Sequence, residues 1–319
     1  MLAKLRNKLR LPWGQRPVSS IAEIPKLLHP AELTKFSWAT HIKSYADVPD
    51  VYKDFFEPIL ADGCAFPYTV MTPSYERFIH TTTEKLISDF GHDIYILERK
   101  GDSFEIQCYP VDRISYVEIR TALLASSFTI CGMTNRGVHT STTLKFNTVT
   151  DHLFTPILKR ARPLPVNSKN VTQGTEIEKF NCLAEVNFKF MNFAKRSLLE
   201  GEKVIQFILQ PEIQEELLTI LKKTFYRTIS ATHMCILTKR ELILIREDAT
   251  QRKDDRYGGF WNYIPLEKIT TLSVNQKSND LLGLTVQLPE GTCFELLFQV
   301  SAKDEINRLL NQYKELTAQ

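Results

Sequence analysis

The chain has 319 residues, of which 43% are hydrophobic and 24% are charged, and this ordinary globular composition excludes a mainly disordered or fibrous protein. The net charge is +3, yet residues 1–20 carry five basic residues and no acidic one, so the remainder sums to −2. A nearly neutral body argues against a nucleic-acid groove, and no run approaches the ~20 apolar residues of a membrane-spanning helix. At about 100–200 residues per domain, the length favours two domains.

Residues 1–48 are expected to form a basic N-terminal segment, which has no uninterrupted apolar stretch at its start and therefore does not resemble a secretory signal. At helical spacing its first residues place leucines on one side, up to Pro12, and lysines on the other. Basic amphipathic helices of this kind lie on anionic membranes; an ordinary basic terminus, or an arm for nucleic acid or a partner, is the alternative. The candidate membrane-contact residues are Leu2, Lys4, Leu5, Lys8, Leu9 and Trp13.

Two later parts of the chain match each other at fixed offsets. The segment PVDRI, residues 110–114, aligns with PLEKI, residues 265–269, so that proline, aliphatic, acidic, basic and isoleucine positions coincide. When Phe146 is set against Phe298, the residues eight, eleven and twelve positions later are apolar in both copies. Self-similarity over so many positions indicates a duplicated domain.

Each copy is expected to begin as a series of short strands. The runs around the proline motif alternate apolar and polar residues or are briefly apolar, and they are rich in β-branched and aromatic residues. Turn residues separate them at 100–102 and 257–259, and residues 289–291 join a hairpin. The predicted strands cover 93–98, 104–108, 127–131 and 142–146 in the first copy and 241–246, 261–263, 283–288 and 292–298 in the second.

Each copy then changes to helical spacing. Ser301 precedes Asp304 by three residues, which is typical of a helix N-terminus whose side chains accept hydrogen bonds from free N–H groups. In the first copy, Pro156 predicts a helix that is shorter, bent or begins later. Helices are also predicted over 51–60 and over 176–200, where two short strands are the alternative. The apolar face of the last helix comprises Ile306, Leu309, Leu310, Tyr313 and Leu316.

This arrangement resembles the bacterial pleckstrin-homology-like (PH-like) domain. The resemblance rests on the strands, the proline motif, the further hairpins and the final helix, and it covers roughly residues 80–162 and 203–316. It implies an α+β, mainly β protein with two bent β-sandwiches or partly open barrels, each closed by a C-terminal α-helix, with the isoleucine of the motif buried. The expected domains are 49–162 and 176–319, the second with a leading helix, joined by a polar, Pro-rich linker over 163–175. The N-terminal and inter-domain segments are expected to be helical.

The sequence has no motif that would predict an enzyme. It lacks a GxSxG elbow, an HExxH helix and a GxGxxG turn after a strand. Residues 132–138 have the glycine spacing of a P-loop but lack its Lys and Ser/Thr, so a hairpin loop is expected. The six cysteines occur singly, which favours buried free thiols in a reducing compartment, and a lone histidine such as His233 is expected to be packed. We therefore expect no catalysis, no metal and no cofactor.

The second copy carries a longer loop after its strand ELILIR. Its candidate ligand-binding residues are Arg252, Lys253 and Arg256, because Arg and Lys suit phosphate oxygens, as in the basic loop of eukaryotic pleckstrin-homology domains. Residues 246–256 contain four bases and four acids, so a solvated loop is the alternative.

The leading functional expectation is a non-enzymatic, cytoplasmic binding or scaffolding protein. Its ligand would be a protein, a peptide or a second copy of the chain, since exposed edge strands can pair with other chains. The alternative is a peripheral membrane protein that binds anionic lipid through the basic N-terminus and the loop with Arg252, Lys253 and Arg256. Binding to anionic vesicles separates the two hypotheses, and no nucleic acid is expected as a partner.

Overall fold

The computed structural model describes residues 37–61, 63–77, 80–162, 173–220, 223–248 and 258–318. The first half of this part, up to residue 162, contains ten strands and two α-helices. The helices are α1 (Asp50–Ala61) and α2 (Thr155–Ala161). The strands are β1 (Thr40–Ile42), β2 (Tyr68–Thr72), β3 (Tyr75–Arg77), β4 (His80–Thr82), β5 (Lys85–Asp89), β6 (Asp93–Lys100), β7 (Ser103–Pro110), β8 (Ile114–Ala122), β9 (Ala125–Met133) and β10 (His139–Asn147).

The second half, from residue 173, begins with helices and ends with one. Its helices are α3 (Gln173–Glu178), α4 (Phe188–Ser197) and α5 (Lys303–Thr317). Its strands are β11 (Val204–Gln210), β12 (Ile213–Ile220), β13 (Lys223–Ser230), β14 (His233–Thr238), β15 (Glu241–Arg246), β16 (Gly259–Pro265), β17 (Thr271–Gln276), β18 (Leu281–Gln287) and β19 (Cys293–Gln299). The prediction of a mainly β fold with antiparallel sheets and a C-terminal helix is confirmed.

The strands form antiparallel sheets, of which the largest contains strands from both halves. Its order is β10-β9-β8-β16-β15-β14-β11, and the two halves meet where Glu118 of β8 lies opposite Asn262 of β16. A second sheet has the order β1-β2-β5-β6-β7, and a third the order β17-β18-β19. The pairs β3–β4 and β12–β13 form separate hairpins. Because β8 and β16 share a hydrogen-bonded register, residues from 37 onward form one compact unit.

Apolar side chains fill a space between two sheets in each half. In the first half, β2 and β5–β7 face β8–β10, and Phe128, Phe154 and Ile157 are buried between them. In the second half, β11 and β14–β16 face β17–β19, and Phe298 and Ile306 are buried there. Burying apolar area at about 25 cal/mol per Å² makes these two cores the main stabilising contribution.

Helices cover the outer faces of the two large sheets. Helix α1 places Tyr52 and Phe56 against the five-stranded sheet. The segment from α3 to α4 packs Phe180 and Phe190 against the seven-stranded sheet, beside Trp261. Strands β14 and β15 are therefore buried on both faces, which explains why their sequences are nearly continuous apolar runs.

The structure corrects several local expectations. The helix over 51–60 is confirmed, and α2 is short with Pro156 in its first turn, as predicted. The expected helix over 176–200 is broken by a 3₁₀ turn at Lys179–Leu183 and by Asn187, whose side chain caps α4. Ser301 does not cap α5, because it lies within a 3₁₀ turn and Ala302 is the cap residue. All six cysteines are free thiols, but only Cys108, Cys131 and Cys235 are buried, so the expectation of buried thiols is wrong for Cys64, Cys182 and Cys293, which are exposed.

Candidate interaction surface

The hairpin of β12 and β13 stands apart from the sheets on either side of it in the chain. Its strands pair only with each other among the described strands, although they are inserted between β11 and β14. The register places Leu218 opposite Phe225 and Glu216 opposite Tyr226, with an irregularity at Leu217. An extra residue of this kind bends a strand and increases its twist, so the hairpin departs from the plane of a regular ladder.

Large apolar side chains on this hairpin are open to solvent. The exposed fractions are 54% for Leu217, 47% for Leu218, 44% for Phe225 and 59% for Tyr226. Arg227, next to Tyr226, is also exposed. We refer to these five residues as the hairpin patch. A cluster of exposed apolar residues marks an interaction site more often than single exposed ones do.

The base of the hairpin is held by buried and hydrogen-bonded groups. Ile213 is 4% exposed at the start of β12. The Gln210 side chain, just before it, accepts a hydrogen bond from the backbone N–H of Gln299 at 3.0 Å. At the other end His233 is packed, as expected, and its Nδ1 lies 3.0 Å from the Ala231 carbonyl oxygen. The hairpin patch therefore lies on an element whose root is fixed.

The candidate ligand-binding residues Arg252, Lys253 and Arg256 lie outside the described residues, but both ends of their loop are described. Before it, Asp248 is 4% exposed and forms an ion pair with Arg120 of β8 at 2.7 Å. After it, Gly258 has φ +91°, and a Cβ there would lie 2.0 Å from the Thr121 carbonyl oxygen. Only glycine tolerates this conformation and this close approach. The loop is thus anchored on β8 of the first half.

The charged groups near these loop ends are paired within the protein. Arg246 donates to the Asn262 side-chain oxygen at 3.0 Å, and Asn262 donates to Glu118 at 2.7 Å. Burial lowers the pKa of Arg246, and the Glu118 carboxylate opposes that shift. Lys189 pairs with Glu247 at 2.9 Å. Because each of these bases already faces an acid or an amide, the described part of this region lacks the excess of positive charge that a phosphate site needs.

A buried ion pair joins the end of α2 to the start of β15. Arg162 donates to both oxygens of Glu241 and to the Ser197 carbonyl, and its guanidinium lies 3.9 Å from the Tyr263 ring centre. Burial alone would lower the pKa of Arg162, but Glu241 outweighs it and the pKa is raised. Burial raises the pKa of nearby Glu202, helped by Glu241. The cluster fixes the two halves to each other, and Arg162 also lines an open groove on the first half.

The first half has an open groove of about 500 Å³ that is lined by Asp93, Asp112, Arg160 and Arg162. Asp112 is exposed there and Asp93 is half-buried. Within the described ranges, no three His, Cys, Asp or Glu side chains group as a metal site would require. No helix of the same ranges is long and apolar enough to span a bilayer.

The expected membrane-contact residues Leu2, Lys4, Leu5, Lys8, Leu9 and Trp13 lie outside the described residues. Sequence reasoning missed the hairpin patch, although the sequence has a signal: the adjacent Leu217 and Leu218 and the adjacent Phe225 and Tyr226 are separated by six residues that include two lysines. A scan of protein-family models gives no match to this chain, and a search of curated proteins gives none either.

Proposed function

We propose that this chain is a non-enzymatic binding protein, made of two PH-like modules that share one sheet and present a hairpin to a partner. The shared sheet supports a scaffolding role, because the β8–β16 pairing holds the two halves in one register. The ion pairs of Arg120, Arg162 and Lys189 with Asp248, Glu241 and Glu247 support a structural rather than a catalytic use of these charged groups.

Two matching series of elements support the modular part of the proposal. The first half has β2, a hairpin, β5–β7, a 3₁₀ turn, β8–β10 and α2; the second has β11, a hairpin, β14–β16, a 3₁₀ turn, β17–β19 and α5. The turns Val111–Arg113 and Leu266–Lys268 carry the proline motifs. The isoleucines that follow, Ile114 and Ile269, are 1% and 7% exposed, which agrees with what the PH-like resemblance implies.

The hairpin patch is the observation that carries the binding role. Its apolar side chains lie on an element with a fixed root and an open outer part, and a binding surface needs both properties. A protein, a peptide or a second copy is the partner expected from the sequence.

Retention on a phenyl hydrophobic-interaction column tests whether the patch is accessible for contact. We expect a variant with Leu217→Ser, Leu218→Ser and Tyr226→Ser to elute earlier than the natural chain while keeping its circular dichroism spectrum. A control with Leu123→Ser and Leu124→Ser removes two leucines that are 63% and 58% exposed at the turn between β8 and β9. If the hairpin variant eluted no earlier than this control, the patch would not be the contact surface and the proposed function would fail.

A further inference from the structure

One face of the hairpin carries an acid and a base beside two of its exposed apolar side chains. Along β13, Phe225 and Arg227 are two residues apart and therefore point to the same face. The register places Leu218 opposite Phe225 and Glu215 opposite Arg227, and cross-strand partners share a face. All four residues are exposed. We refer to Glu215, Leu218, Phe225 and Arg227 as the Phe225 face.

The two charged groups of the Phe225 face are available to a partner. Glu215 and Arg227 lie opposite each other in the register, yet no ion pair joins either of them to another residue that the structure describes. One acid and one base give this face no net charge. A strongly anionic surface would have to approach the Glu215 carboxylate, and like charges oppose such a contact. The face therefore fits a partner that itself offers one base and one acid.

The Phe225 face is complementary to a second copy of itself. When two hairpins pack face to face about a two-fold axis parallel to their strands, β12 of one copy lies over β13 of the other. Glu215 of each copy then meets Arg227 of the other, and Leu218 meets Phe225, because these residues are cross-strand partners within one hairpin. Each contact occurs twice, as in any two-fold interface. Packed sheets stay within about 30° of aligned, so contacts this close together remain matched.

Resting on the proposed binding function, we propose that the partner of the hairpin is a second copy of this chain, docked through the Phe225 face. Two contacts between Leu218 and Phe225 form the apolar centre, and two ion pairs between Glu215 and Arg227 lie beside it. The contact is small compared with the roughly 800 Å² per partner of a stable interface. We therefore expect a weak dimer whose population depends on concentration.

Sedimentation velocity of the full chain tests this proposal over concentrations from about 1 µM to about 1 mM. The sedimentation coefficient of the natural chain should rise with concentration, and less so at high salt. Glu215→Arg sets arginine against arginine at both charge contacts, and Arg227→Glu sets glutamate against glutamate. Each should weaken the dimer by about tenfold or more. Glu216→Arg changes the adjacent acid, which points to the opposite face; it is the matched control and should associate like the natural chain.

An equimolar mixture of the Glu215→Arg and Arg227→Glu variants gives the most specific readout. In a heterodimer of the two, each charge contact again joins an arginine to a glutamate. The mixture should therefore dimerise where neither variant does alone, to within about threefold of the natural affinity. Leu218→Ser keeps both charges and should also weaken the dimer. Circular dichroism spectra establish that each variant keeps its fold.

The outcomes separate this proposal from the proposed function. A chain that stays monomeric at about 1 mM, or a dimer that the charge variants do not weaken, would overturn the proposal. A dimer weakened by the single variants but not restored in the mixture would overturn it as well, because the charges would then act within one chain. If the difference on the phenyl column persisted in these cases, the proposed function would survive with another protein or a membrane surface as the partner.

Discussion

The two halves of the molecule differ most in one hairpin, which follows β2 in the first half and β11 in the second. In the first half, β3 and β4 have three residues each, whereas β12 and β13 have eight each. The final helices differ as well, since α2 has seven residues and α5 has fifteen. The strands between these elements are arranged alike in the two halves: β2 and β5–β7 correspond to β11 and β14–β16, and β8–β10 correspond to β17–β19. Surface insertions cost little stability, so a hairpin can lengthen while the buried sheets stay the same.

The largest expected effects come from the two inner cores. Phe128→Ala in the first half and Phe298→Ala in the second each remove a fully buried ring, and each should lower the free energy of unfolding by about 3–5 kcal/mol. Because β8 and β16 pair across the halves, the whole described part should unfold in one transition in urea, and each variant should lower the urea concentration at its midpoint. Circular dichroism and tryptophan fluorescence follow the transition. Separate transitions in either variant would show that the halves unfold independently.

The buried ion pair between Arg162 and Glu241, which connects the two halves, should contribute nearly as much to stability. Arg162→Met leaves Glu241 buried without its partner, and this should cost about 3–5 kcal/mol of the free energy of unfolding. The control is Arg160→Met, two residues earlier, which breaks a pair with Asp89 whose arginine is 41% exposed and should cost less than about 1 kcal/mol. Similar urea midpoints for the two variants would contradict the role assigned to the buried pair.

Corresponding positions in the two halves predict different responses to acid. At the start of β5, Lys85 pairs with Glu98 of β6 at 3.2 Å; at the start of β14, His233 lies opposite Arg246 of β15. Burial, with a smaller effect of Arg246, lowers the pKa of His233 from 6.5 to about 4. The unfolded chain therefore takes up a proton first as the pH falls. Stability that is complete above pH 6.5 is lost towards pH 4, by about 3 kcal/mol at about 1.4 kcal/mol per pKa unit.

The measurement for His233 is the free energy of unfolding as a function of pH. The natural chain should lose stability between pH 6.5 and 4 more steeply than His233→Gln, which has no proton to gain at this position. Other acidic groups titrate in both proteins, so the difference between the two curves reports His233. Parallel curves would mean that the buried ring does not resist protonation.

Two glycines with left-handed backbone give the smallest effect. Gly91 in the first half has φ +87°, and a Cβ added there would have no atom within 4 Å, whereas at Gly258 the added Cβ would strike the Thr121 backbone. Both alanine substitutions strain the backbone. Gly258→Ala should lower the free energy of unfolding by about 1–3 kcal/mol more than Gly91→Ala, because the chain at Gly258 must move away from Thr121 of β8. Thermal unfolding of the two variants measures this difference in stability, and equal melting temperatures would argue against a close contact between Gly258 and Thr121.

Much of the local structure could be predicted from the sequence. The alternation before and after the proline motifs predicted β6, β9 and β18, and Pro156 predicted the shortened helix α2. The hairpin patch was missed because Leu221 and Lys222, which join its strands, include none of the glycine, asparagine or aspartate residues that mark tight turns. Arg162 was missed because an arginine beside a Pro-rich segment has the pattern of a solvated residue.

The sequence by itself determined the periods of the strands and helices and the positions of the proline motifs, because these depend on neighbours within a few residues. Only the tertiary structure decided that β8 pairs with β16, that Arg162 meets Glu241, and that β12 and β13 form a separate two-stranded sheet. Each of these depends on surfaces that are far apart in the chain. Such pairings follow from which faces can be buried together, and alternation along one strand specifies a face without specifying its partner.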